Sequence, residues 1–291
     1  MIHGREKVVR FGANSALVGI LTEPAPGSAS IGKPAFVLLN SGILHRVGSC
    51  RLSVRLARAL SAEGFCSLRF DYSGVGDSDQ RRDAMPFQES SVLETRQAMD
   101  YLAKANAAQK FVLMGLCSGA DMAHHTAVVD DRVRGLMMID AWAYRTVAHY
   151  VRHYAPRMLK WRVWQNSIRI RWHMLRGTYR GLRASDPVHG VELEVATYVR
   201  AFPPRDRVEQ DLKGFVDRRI PLYCVWTGGL EEYNHQGQYA AAFRSINFKG
   251  LLREEYLADA DHILTGLPHQ DRLLREVPMW ALSLSEQSVA G

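Results

Sequence analysis

The sequence is poor in the residues on which metal and disulfide chemistry depends. Its 291 residues hold four cysteines, Cys50, Cys66, Cys117 and Cys224, and none has a neighbour at metal-ligand spacing. That argues against a zinc module and against a disulfide framework, and free thiols fit a reducing compartment. No metal site and no cofactor are expected. No uninterrupted apolar run approaches the length of a membrane span, and residues 1–7 carry no apolar stretch of the signal-peptide kind, so a soluble cytoplasmic protein is expected. There is no internal repeat and no low-complexity tract. Acidic residues are missing from one segment: between Ala141 and Ser185 stand nine Arg and one Lys with no Asp or Glu, which leaves −3 for the remainder of a chain whose net charge is +7. The basic character is therefore local and describes one segment only.

What is present alternates. Lys7 to Phe11 and Leu17 to Thr22 read as a strand pair around a turn at residues 12–15. Apolar runs at 35–40, 65–70, 111–116, 135–140, 220–226 and 251–256 have the continuous hydrophobicity of buried parallel strands. Helical spacing fills the intervals at 52–62, 91–105, 118–129, 238–244 and 271–283, with Ser91 and Glu94 at capping-box spacing. This alternation implies a mostly parallel central sheet flanked by helices, an α/β architecture. It breaks at Ala141. Residues 141–185 look helical, basic and aromatic, with Trp142, Trp161, Trp164 and Trp172, and the strand pattern returns only at Ile220. The expected organisation is a core of residues 1–140 and 216–291 with an inserted helical cap at 141–215.

Chemistry concentrates at Gly115-Leu116-Cys117-Ser118-Gly119, where an apolar strand meets a helix. A nucleophile on so sharp a turn requires glycine two residues to either side, because a side chain there collides with the strand and the helix. The register selects Cys117: its flanking positions are Gly115 and Gly119, whereas those of Ser118 are Leu116 and Ala120. Ser118 then supplies a backbone N–H to an oxyanion, and Ile43, in the loop Asn40-Ser-Gly-Ile-Leu-His-Arg46, is the second candidate donor. His262 follows the last strand, at the carboxyl edge where ligands bind in open α/β sheets, and is the candidate base. The acid that orients it should follow the strand ending at Trp226, which favours Glu231, then Glu232, with Asp140 at the end of the preceding strand in reserve. His45, Arg46, Trp142 and Arg145 are candidates for substrate contact. The two glycines of Asp71-Tyr-Ser-Gly-Val-Gly-Asp-Ser78 lack the third glycine and the following helix of a dinucleotide site.

Taken together, these motifs resemble the α/β-hydrolase superfamily in its cysteine-nucleophile form. The loop 40–46, Arg69-Phe-Asp-Tyr-Ser-Gly-Val-Gly-Asp-Ser78, the elbow, Tyr144-Arg145-Thr146 with His149-Tyr150 and His153-Tyr154, and Thr227-Gly-Gly229 with Tyr233-Asn234 are similar to the hydrolases associated with bacterial exosortase A systems. Cysteine in place of serine also resembles dienelactone hydrolases and bile-acid-type acyltransferases. The resemblance implies an α/β-hydrolase fold and an acyl-transfer enzyme acting through a Cys-His-acid triad, as an esterase or thioesterase or as an acyltransferase. The basic segment has three readings, in this order: arginines that solvate helix faces, a phosphate-bearing acyl donor such as acyl-CoA or an acyl carrier protein, whose geometry arginine clusters match, and peripheral membrane contact through the basic cap; nucleic acid is not expected. A binding module on a hydrolase scaffold is the non-enzymatic alternative.

Overall fold

A computed structural model describes residues 4–24, 32–158 and 200–287 of the chain. Eight strands form one sheet: β1 (Glu6–Phe11), β2 (Leu17–Thr22), β3 (Ala35–Leu38), β4 (Ser67–Phe70), β5 (Phe111–Leu116), β6 (Val133–Ile139), β7 (Leu222–Thr227) and β8 (Leu252–Leu257). Their spatial order is β1-β2-β4-β3-β5-β6-β7-β8. β2 runs antiparallel to β1 and β4, and every pairing from β4 to β8 is parallel. The helices are α1 (Leu52–Ala62), α2 (Phe87–Asn106), α3 (Ser118–Val129), α4 (Val147–Met158), α5 (Arg205–Asp217), α6 (Gln238–Ala242) and α7 (Leu267–Gln287).

Both faces of the sheet are covered, which is why β3, β5 and β7 are apolar without alternation. The pleat sends Phe111 and Leu113 of β5 to one apolar cluster, with Ala120 and Ala123 of α3 and Leu212 and Phe215 of α5. Val112, Met114 and Leu116 point to the other, with Leu56 and Leu60 of α1 and Val277 and Trp280 of α7. α5 lies within the range expected for the cap, yet its Val208, Leu212 and Phe215 are buried in the same cluster as the sheet. Most of the expected cap, with Trp161, Trp164, Trp172 and half of its twelve arginines, falls at residues 159–199, outside the described residues.

The capping-box expectation for α2 is corrected. The helix begins four residues earlier, at Phe87 behind Pro86, whose fixed φ suits a helix entry. Glu94 caps nothing; its carboxylate accepts from Ser73 N (2.9 Å), Ser73 Oγ (2.7 Å) and Arg81 (3.0 Å), tying the loop after β4 to the helix. No described helix is long and apolar enough to cross a membrane.

Candidate active site

Strand register brings the site together. Leu116 pairs with Ile139, Ile139 with Val225 and Thr227 with Leu257. Cys117 and Asp140 are therefore the first residues beyond the carboxyl ends of adjacent strands, and the segment holding His262 leaves the sheet beside Thr227. Cys117 N donates to Ile139 O at 2.8 Å, and Asp140 N to Val225 O at 2.8 Å.

Cys117 sits at φ 55°, ψ −120°, a conformation that costs a non-glycine residue on the order of 1–3 kcal/mol and is held by its surroundings. The flanking glycines meet the need read from the sequence. A Cβ on Gly115 would lie 2.1 Å from Gly119 C, and one on Gly119 would lie 2.5 Å from Asn40 O.

His262 Nδ1 lies 2.7 Å from Asp140 Oδ2, and the same ring hydrogen-bonds Cys117. Asp140 is wholly buried; Thr227 N donates to its Oδ1 and Thr227 Oγ1 to its Oδ2, each at 2.7 Å. The bond to Asp140, followed by that to Cys117, pushes the imidazole up to about 10. At Cys117, burial pushes the thiol up, but the hydrogen bond to His262, the positive charges of Arg200 and His262 and the Ser118 N–H together outweigh it, so the thiol lies below its ordinary value. Both shifts run in the direction that favours a thiolate beside an imidazolium.

The expectation that the acid follows β7 is corrected. Glu231 is exposed, and Glu232 lies 3.4 Å from Arg145. The physical reason is in Thr227-Gly228-Gly229. A Cβ on Gly228 would lie 2.0 Å from Ala258 O, and one on Gly229 would lie 2.4 Å from His262 N, so this turn packs directly on the histidine loop. Thr227, at the end of β7, serves Asp140 as a donor. A sequence signal for Asp140 did exist: it is a lone charge ending the fully apolar run Leu-Met-Met-Ile139.

The loop 40–46 is fixed from two sides. Gly42 N donates to the buried Ser118 Oγ at 2.7 Å, a role for Ser118 beyond its backbone N–H that sequence reasoning missed. Asp71, wholly buried, accepts from Arg46 N (2.5 Å), Asn40 Nδ2 (3.3 Å) and Asp77 N (3.2 Å), and the Arg46 guanidinium pairs with both Asp71 and Asp77. Arg46 is thus a strut of the loop, its guanidinium engaged by two carboxylates. Trp142 is 4% exposed and packs against His124 and His125, at ring distances of 5.0 and 5.1 Å. His45 and Ile43 remain exposed in the loop, and Arg145 lines a groove with Arg205 and Arg244. Removing the Ser118 hydroxyl deprives Gly42 N–H of its acceptor. Ser118→Ala is expected to lower kcat about tenfold with little change in KM, since loosened donors serve the transition state more than the ground state. Steady-state kinetics on any accepted substrate checks this.

Among the described residues no group of three or more His, Cys, Asp or Glu could hold a metal ion. A family model described as alpha/beta hydrolase fold matches residues 34–239. No curated protein matches the sequence. Solved structures do: an esterase from Pyrococcus furiosus (13% identity, TM-score 0.56, covering 97% of this chain and 91% of that one) and a proline iminopeptidase from Mycobacterium smegmatis (14%, 0.55, 98% and 100%). A hydrolase from Agrobacterium vitis is similar at 15% identity and a TM-score of 0.53, covering 94% of this chain and 97% of that one. At these identities the likeness is one of fold.

Proposed function

The chain belongs to the α/β-hydrolase fold family, and on that premise we propose that it is an acyl-transfer enzyme acting through a Cys117-His262-Asp140 triad, with hydrolysis of an ester or thioester as its reaction. The observation that carries the reading is the hydrogen-bonded line that runs from buried Asp140 through His262 to Cys117 at the strand ends. The Cys117 thiolate attacks the substrate carbonyl, and the Ser118 N–H, with Ile43 N–H as second donor, receives the oxyanion. As the tetrahedral intermediate collapses, the bond to the leaving group breaks and the His262 imidazolium gives that group its proton, leaving a thioester on Cys117. Neutral His262 then takes a proton from water as water attacks the thioester. Cys117 departs as thiolate, the acid is released and the imidazolium is restored.

This scheme needs thiolate and imidazolium at once, which fixes the pH profile. Activity falls on the acid side as the thiolate is protonated. Because the imidazole is raised to about 10, the imidazolium persists through neutral pH and the alkaline limb lies near pH 10. A pH series of kcat checks both limbs.

The donor class follows from the basic segment: arginines suit an acyl-CoA or the phosphopantetheine of a carrier protein. Incubation with a panel of acyl-CoA and acyl-thioester substrates, followed by intact mass measurement, tests the reading. An added acyl mass on the wild type and none on Cys117→Ala is expected; no addition with any donor argues for a binding module instead. A thioester acyl-enzyme also suits amines, so amines and alcohols supplied in the same assay distinguish a hydrolase, which releases free acid, from an acyltransferase.

A further inference from the structure

A cation that takes no part in the proton transfers stands over the site. Arg200 Nε and Nη2 make two bonds, of 2.7 and 2.8 Å, to the Asp121 carboxylate, and Nη2 also donates to Asp140 O at 2.8 Å. Asp121 is 1% exposed and lies in the first turn of α3, directly behind the nucleophile. Asp140 has φ 47°, in the left-handed region that an aspartate adopts only when held. Its carbonyl, turned away from the sheet at a buried position, requires a donor.

Resting on the acyl-transfer reading above, we propose that Arg200 is a positioning residue: by bridging Asp121 and the Asp140 carbonyl it locks Asp140 in the backbone conformation from which the carboxylate reaches His262, and it sets a fixed positive charge beside Cys117. The geometry has two separable parts. The bidentate pair with Asp121 anchors the guanidinium to the elbow helix, so its position is tied to that of the nucleophile. The third bond joins β6 to that anchor, so nucleophile and acid are held by one planar group. Lysine carries the charge but offers no fork, which makes Arg200→Lys an informative variant.

The groups facing this centre can be named. Cys117 is faced by His262, Arg200 and the Ser118 N–H. Asp121 is faced by Arg200, by His124 from its own helix and by Trp142. Asp140 is faced by His262 and Thr227. Arg200 is the only permanent cation in this set, so the thiol should respond to its removal.

The test combines Arg200→Gln, Arg200→Lys and the double variant Arg200→Gln/Asp121→Asn, which avoids leaving Asp121 buried without its partner. Three readouts are taken: the pH profile of Cys117 alkylation, kcat against KM, and the low-field proton resonance of His262 Nδ1–H bound to Asp140. For Arg200→Gln and for the double variant, Cys117 alkylation at pH 6 is expected to slow about fivefold, kcat to fall about 10- to 100-fold with KM within about twofold, and the resonance to broaden or vanish. Arg200→Lys is expected to recover the alkylation rate while kcat stays low. A folded double variant with the wild-type alkylation profile, resonance and kcat overturns the proposal. The acyl-transfer reading fails separately, if the wild type is never acylated, and the alkylation and resonance arms then still decide the role of Arg200.

Discussion

Replacing Cys117 with alanine is expected to lower turnover by at least about 10⁴-fold, because loss of the nucleophile removes the covalent route and leaves only binding and the oxyanion donors. The serine variant is the sharper experiment. Cys117→Ser keeps size and hydrogen bonding, yet a hydroxyl remains protonated where the proposed mechanism starts from a thiolate, so His262 must accept a proton during attack instead of having taken it beforehand. The site is arranged for the charged pair: the imidazole is raised to about 10 first by Asp140 and then by Cys117 itself. Turnover of Cys117→Ser is therefore expected to fall by about 10²-fold or more, with the alkaline limb moved to lower pH because His262 loses an anionic partner. Equal turnover in the serine variant would show that the preformed thiolate is irrelevant.

The second large effect separates the acid from its alternatives. In Asp140→Asn, the Thr227 N–H still requires an acceptor at the Oδ1 position, so the amide nitrogen faces His262 Nδ1. That nitrogen must then accept, the ring proton moves to Nε2, and the imidazolium needed for leaving-group protonation is lost. A fall in kcat of about 10³- to 10⁴-fold is expected, the scale seen when a triad acid is amidated elsewhere. Glu231→Gln and Glu232→Gln are expected to stay within about twofold, since Glu231 is exposed and Glu232 pairs with Arg145. Parallel kinetics on the three variants settles which carboxylate supports His262.

The elbow was legible in the sequence because its constraint is local. Gly115 and Gly119 are required by contacts within five residues of the chain and with the adjacent strand end, so their spacing marks Cys117 directly. The order of strands and helices was legible for a similar reason, as burial on both faces makes each strand an apolar run. The acid was not. Which strand end carries it depends on how closely the turn after β7 packs on the histidine loop, and Gly228 and Gly229 disclose that closeness only once Ala258 and His262 are in place. Arg46 and Trp142 are polar or amphipathic residues near the site in sequence, but their side chains are taken by Asp71 and Asp77 and by His124 and His125. Arg200 was invisible because its meaning lies in a partner 79 residues away. Local steric needs are written in short spacings, whereas pairings across the sheet ends are set by tertiary packing.

The most direct test of the central claim is the pH dependence of alkylation at Cys117, followed peptide by peptide. The other thiols supply the comparison: Cys50 is exposed, while burial pushes Cys66 up to about 12 and Cys224 well above the ordinary range. Cys117 is expected to keep more of its pH 8 reactivity at pH 6 than Cys50 does and to outpace Cys50 at the lower pH, with His262→Ala abolishing the difference. A Cys117 profile with its midpoint near the unperturbed thiol value of about 8.5, unchanged in His262→Ala, would contradict the thiolate–imidazolium account.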